Sequence, residues 1–195
     1  MAYLRISEAR TAGQGARSYV SKSASQMLIE DSRRFSSQST YDVFLSHAFK
    51  DADIVLGVKS LIEAEGLKVY VDWIEDTTLD RAKVTRGTAK VLRERMRTCA
   101  SLVYVHTPSA SESAWMPWEL GYFDALKPGY VWILPLVELS DSEFKGQEYL
   151  GLYPPIENVS SLSGRISFAF TNFGETRSNQ PLSKAAKGGG VSFTQ

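Results

Sequence analysis

Trp115 and Glu119 are the two residues of this chain whose types and spacing most clearly offer chemistry. Four positions apart, they share one face of a helix and set an indole one turn from a carboxylate. Spacing alone leaves two readings open. Glu119 is either a plain helix-start acid, favoured by the positive end of the helix dipole, or a functional carboxylate beside an aromatic ring. Further candidates stand where apolar runs stop: Ser46, His47, Asp72, Trp73, His106 and Thr107. Other chemistries lack their residues. There is no GxxxxGK[ST] phosphate loop, and Gly13-Gln14-Gly15 neither follows a strand nor completes GxGxxG. A phospho-receiver needs an acidic residue where this chain has His106-Thr107. Two histidines and one cysteine argue against a zinc site, so no metal is expected. Cys99 has no activating partner in the sequence and reads as a small core hydrophobe.

The elements that must position these residues alternate between strand and helix. Tyr41 to Ser46 is a compact apolar run with a polar stop, as a buried strand requires. Ile54, Val58, Leu61 and Ile62 then mark one face of a helix over residues 51–65, with Gly66 as its terminator. Leu67 to Val71 is a second strand, and residues 74–83 are polar enough to be a loop. A helix from Val84 to Cys99 faces inward with Val84, Val91, Leu92 and Met96, and Gly87 argues for a later start. Ser101 to His106 is a third strand, followed by a Ser-rich loop and a helix from Trp115 to Leu126 with Pro117 in its first turn. Tyr130 to Val137 is a fourth strand; a fifth is expected near residues 156–160 and a last helix from Leu162. Strands without strict alternation, separated by amphipathic helices, imply an α/β fold with a parallel sheet covered on both faces. In such sheets ligands bind outside the C-terminal strand ends.

Composition fits an ordinary globular chain: of 195 residues, 43% are hydrophobic and 23% charged, with 22 basic against 22 acidic side chains. The net charge of zero is a composite. Residues 1–40 carry +3, residues 41–156 carry −5 and residues 157–195 carry +2. An acidic middle argues against nucleic acid as a partner. No apolar run is long enough to span a bilayer and no h-region follows Arg5 and Arg10, so the expectation is a cytoplasmic protein without membrane contact. Three regions follow: a Ser-rich extension over 1–40 with one helix over 19–35, a domain over 41–160, and a C-terminal helix with a mobile tail over 161–195.

The motifs carry a family resemblance. Tyr41-Asp42-Val43-Phe44-Leu45-Ser46-His47 resembles the first-strand box of Toll/interleukin-1 receptor (TIR) domains, and Gly66 to Asp72 resembles their second strand. The Ser-rich loop leading to Trp115-Met116-Pro117-Trp118-Glu119-Leu120 is similar to the start of their third helix. The match runs in order from Tyr41 to Pro155. It implies a flavodoxin-like TIR fold with about five parallel strands.

The resemblance also implies an activity. Many bacterial and plant TIR domains cleave NAD⁺ at the nicotinamide–ribose bond, using a glutamate at the position of Glu119, and bacterial members often carry a tryptophan at the position of Trp115. Ser46, His47, Phe49, Asp72, Trp73 and Trp115 are then the expected dinucleotide-binding residues, with NAD⁺ as substrate and no separate cofactor. The loop Trp73–Lys83 matches a family segment that gates the site and makes assembly contacts, implying self-association. Standalone bacterial members serve antiphage systems such as Thoeris, where the product is a messenger for a separate nucleotide-sensing effector. Two other readings stand beside this one. The first is a non-catalytic TIR module, an adaptor or virulence effector acting through TIR–TIR contacts. The second is a nucleoside deoxyribosyltransferase-like enzyme on a related sheet.

Overall fold

Hydrophobic periodicity becomes a sheet because each central strand is apolar on both faces and needs a layer on each side. The computed structural model describes residues 3–18, 21–33, 40–72, 85–138, 144, 146–158, 166–171 and 180–187. The strands of the main sheet are β1 (Leu4–Arg5), β2 (Tyr41–Ser46), β3 (Val69–Tyr70), β4 (Cys99–His106) and β5 (Val131–Val137). All pair in parallel, in the order β1-β5-β4-β2-β3. The register sets Ser46 opposite Tyr104 and His106 opposite Pro135, which brings the C-terminal strand ends to one edge.

Alternation sorts the side chains. Val43, Leu45, Val69, Val103 and Leu134 face one layer, built from α1 (Ile6–Arg17), α2 (Ala24–Arg33) and α3 (Ala52–Glu63). Phe44, Tyr70, Leu102, Tyr104 and Ile133 face the other, built from α4 (Arg86–Arg97) and α5 (Trp115–Leu126). Gly66 ends α3 with φ at 81°, a left-handed turn that glycine adopts freely. Thr85 caps α4, its Oγ1 accepting from the Thr88 amide at 3.1 Å, so the helix starts later than residue 84 as Gly87 suggested.

The ends of the chain depart from expectation. Residues 1–40 were expected as an extension with one helix; Leu4 and Arg5 instead supply the sheet's edge strand, beside Leu136 and Val137. Two helices follow, α1 and α2, only the second lying within residues 19–35. Gly13-Gln14-Gly15 lies inside α1. The reason is packing: α1 crosses α3 so closely that a Cβ on Gly57 would stand 1.8 Å from the Ala9 carbonyl oxygen. At the other end, Ile156–Asn158 forms β6, but it pairs antiparallel with β7 (Phe168–Phe170), which in turn pairs with β8 (Gln180–Pro181). A bridge from Pro155 to Ile133 joins it to the main sheet. Residues 166–171 therefore hold a strand where a helix was expected; Leu162 itself lies outside the described residues. Of the expected tail, 172–179 and 188–195 lie outside the described residues, while Leu182, Ala185 and Ala186 in and just after α6 (Leu182–Ala185) are buried in the core.

The two neighbouring glycines of α1 separate packing from propensity. A Cβ on Gly13 would lie 2.4 Å from the Asp53 carbonyl oxygen, whereas one on Gly15 meets nothing within 4 Å. Gly13→Ala is expected to lower the unfolding free energy by about 1–3 kcal/mol through overpacking. Gly15→Ala is expected to raise it by up to about 1 kcal/mol through helix propensity. Urea denaturation followed by circular dichroism reads both.

Candidate active site

Ser46 is the last residue of β2, and its side chain points to the face that α5 covers. Glu119 is the fifth residue of α5, whose first turn holds Pro117 where the missing N–H costs no hydrogen bond. The two meet. Ser46 Oγ donates to Glu119 Oε2 at 2.6 Å, and both residues are only 1% exposed. A sealed carboxylate needs such donors, because burying an unpaired charge is costly.

Asp72, just past β3, is equally buried and accepts from the Tyr70 hydroxyl at 3.1 Å. Burial, and next the Asp72 charge, push the Tyr70 phenol well above its ordinary pKa. His47 is buried in the turn after β2, where its Nδ1 donates to the Leu45 carbonyl at 2.8 Å. The Asp51 carboxylate accepts from Thr107 Oγ1 and from Ser109 Oγ at 3.2 Å, lashing the loop after β4 to the start of α3.

Beside these strand ends lies a cleft of about 460 Å³, lined by Phe49, Lys50, Ser109, Glu112 and Trp115 among others. Phe49 is 51% exposed there, whereas Trp115 is largely buried and shows the cleft only part of its ring. Lys50 and Glu112 pair by charge across the mouth. Behind Trp115, Trp118 stands edge-on at 5.5 Å and Tyr122 stacks on Trp118 at 5.6 Å, with the Arg93 guanidinium over both rings. Trp115 is thus held by an aromatic row between α4 and α5. Glu119 lies one helical turn beyond it.

No protein-family model matches the chain. Over 134 residues it is 50% identical to a protein of Bacillus cereus strain MSX-D12 named "Probable 3′ cyclic ADP-D-ribose synthase ThsB′", covering 68% of this chain and 69% of that one. The chain belongs to the Thoeris-type bacterial TIR-domain proteins. A second relative, TIR2 of Cytobacillus dafuensis, named provisionally as a cyclic ADP-D-ribose synthase, is 31% identical over 93 residues, 47% of this chain and 24% of that protein. The five-stranded parallel sheet with helices on both faces is the TIR arrangement expected from the motifs.

Of the residues singled out in this TIR domain, Ser46 and Glu119 are in direct contact, and Phe49 and Trp115 line one cleft. His47 and Asp72 are buried at neighbouring strand ends. Trp73 and the loop Trp73–Lys83 lie outside the described residues. Sequence reasoning missed Tyr104, which stands opposite Ser46, and the Lys50–Glu112 pair at the mouth. Alternation along β4 puts Tyr104 on one face with Leu102, but only the strand register shows that Ser46 is its neighbour. Among the described residues no helix is long and apolar enough to cross a membrane.

At the far end of β4, burial lowers the pKa of His106, whose ring stands edge-on to Phe144 at 4.8 Å. The folded imidazole stays neutral where the unfolded one takes up a proton, so stability is lost as pH falls below about 6.5. Urea denaturation at about pH 7.5 and about pH 5.5 should show a smaller acid loss in His106→Gln than in the wild type. An equal loss would mean that His106 contributes nothing to the slope.

Proposed function

We propose that this protein cleaves the nicotinamide–ribose bond of NAD⁺ and closes the ADP-ribose into a cyclic messenger, with Glu119 as the catalytic carboxylate. The observation that carries this reading is the buried Glu119 held by Ser46 at 2.6 Å, one helical turn from an indole that lines a cleft. The name of the Bacillus cereus relative, 50% identical, supports the same class of product.

The chemistry suits one carboxylate. Nicotinamide departs as a neutral ring carrying the bonding electron pair, so no acid has to protonate it. The ribose left behind is oxocarbenium-like, and a nearby carboxylate stabilises the positive charge at the anomeric carbon. A hydroxyl oxygen of the adenosine ribose then attacks that carbon and its proton passes to Glu119, giving a cyclic product; water in its place gives the linear one. We assign binding of the dinucleotide to Ser46, His47, Phe49, Asp72, Trp73 and Trp115, with the aromatic rings offering stacking surfaces. NAD⁺ is the substrate and no further cofactor is invoked. Self-association through Trp73–Lys83, a cytoplasmic setting, and a downstream nucleotide-sensing effector in antiphage defence complete the reading.

Chromatography of NAD⁺ incubated with purified protein, alone and with lysate of phage-infected cells, tests it. The wild type should release nicotinamide and a cyclic ADP-ribose, and Glu119→Gln should lower turnover by about 10²–10³-fold or more. Equal activity of the two would remove Glu119 from the reaction. No consumption of NAD⁺ by the wild type under either condition would favour the non-catalytic module.

A further inference from the structure

A dinucleotide carries two negative charges on its diphosphate, and the residues assigned to it above include no lysine or arginine. Three carboxylates, Asp51, Asp72 and Glu119, stand at or beside the strand ends and disfavour an anion there. Among the described residues lining the cleft, Lys50 is the one with a fixed positive charge. That charge is already engaged. Lys50 Nζ donates to Glu112 Oε2 across the mouth, so the opposite wall neutralises it.

The two walls are fixed at their base and loose at their tips. Lys50 is the middle residue of the turn Phe49–Asp51, and Glu112 is the last residue of the turn Pro108–Glu112. Asp51 accepts from Thr107 and Ser109, which holds the first turn against the start of the second. At the mouth the Lys50 and Glu112 side chains are 72% and 60% exposed. An ion pair this exposed contributes little stability, because water screens it and two long side chains must be held still. Parting it therefore costs little, and the backbone walls can stay where Asp51 ties them. The hydrogen bond from Lys50 to Glu112, and next the Glu112 charge, raise the Lys50 pKa, so the group is an ammonium at any pH near neutral.

From this arrangement we infer that Lys50 recognises the diphosphate of the dinucleotide and that Glu112 is its resting counter-ion: the incoming diphosphate displaces Glu112 from the ammonium, and the released carboxylate turns to water. The inference rests on the reading of NAD⁺ as substrate given above. A diphosphate offers two charges and several acceptor oxygens where Glu112 offers one charge, and the ammonium has three donors to give. The exchange also selects. A nucleoside without phosphates has nothing to set against Glu112 and meets a mouth already paired. The charges of the site then follow those of the ligand, with the Glu119 carboxylate for the ribose carbon that turns cationic and the Lys50 ammonium for the diphosphate.

Competition for one ammonium gives the two partners opposite signatures. Titration calorimetry with ADP-ribose reads binding without turnover, and NAD⁺ kinetics read KM and kcat. Lys50→Met should weaken ADP-ribose binding and raise KM by roughly tenfold or more, with kcat within about twofold, and Lys50→Arg should recover most of the loss. Glu112→Gln should tighten ADP-ribose binding by about two- to fivefold, because the ammonium no longer has to be freed. Wild-type affinity in Lys50→Met overturns the inference. Unchanged or weaker binding in Glu112→Gln does so too, by making the pair a structural tie. If Glu119→Gln is inactive while Lys50→Met keeps the wild-type KM, the inference fails and the catalytic reading survives. If ADP-ribose binds in a Lys50-dependent way but the wild type consumes no NAD⁺, the catalytic reading fails and the charge exchange stands. If the wild type neither binds ADP-ribose nor consumes NAD⁺, both fall.

Discussion

A carboxylate shut away from water has to find its hydrogen bonds inside the protein, and this structure is organised around that demand at Glu119. One donor is Ser46, seventy-three residues earlier in the chain and at the end of a central strand. For the two to meet, β2 must stop at residue 46 on the face that α5 covers, and α5 must begin close enough to present its fifth residue there. The loop between β4 and α5 is therefore tied down, with Thr107 and Ser109 both bonded to Asp51. Polar bonds that look incidental one at a time together set the start of α5 within reach of the strand end.

On the opposite face the sheet is held by contacts of a different kind. The glycines of α1 and α3 let two backbones touch, a geometry that any side chain would push apart. That contact fixes the helix leaving β1, and β1 occupies the edge of β5 next to Leu136. The C-terminal segment is anchored on the same side, where the Glu65 carboxylate accepts from the Phe168 amide at 2.6 Å and Leu182 is fully buried. The segments beyond the motif-bearing middle of the chain are thus structural parts of the sheet's covering layer.

Most of the central architecture was readable from residue patterns, because buried parallel strands and amphipathic helices leave strong periodic signals. Tyr41–Ser46 and Trp115–Leu126 have the bounds that their apolar runs suggested. The ends were not readable, for physical reasons. A two-residue strand such as Leu4–Arg5 carries no periodicity, and it exists because β5 offers an open edge. Gly13 and Gly15 signal a break when only propensity is weighed, whereas tertiary contact makes the first of them necessary. Phe168–Phe170 depends on pairing with two distant segments. At the site, Glu119 and Trp115 were visible through their spacing, and Ser46 through its position at a strand end. That Tyr104 stands opposite Ser46 was not, because register is a property of the folded sheet.

The 1% exposure of Glu119 has an energetic corollary for regulation. On the catalytic reading of Glu119 proposed above, substrate reaches that carboxylate only where its covering side chains have moved, in a minority state unlike the one described here. If that minority is a fraction f, apparent affinity is weakened by 1/f, roughly a hundredfold for a state populated at about 1%. Anything that binds the opened form more tightly, including another copy of the chain, recovers that factor without altering a single catalytic group. On that reading, switching on an enzyme built this way is a matter of shifting population.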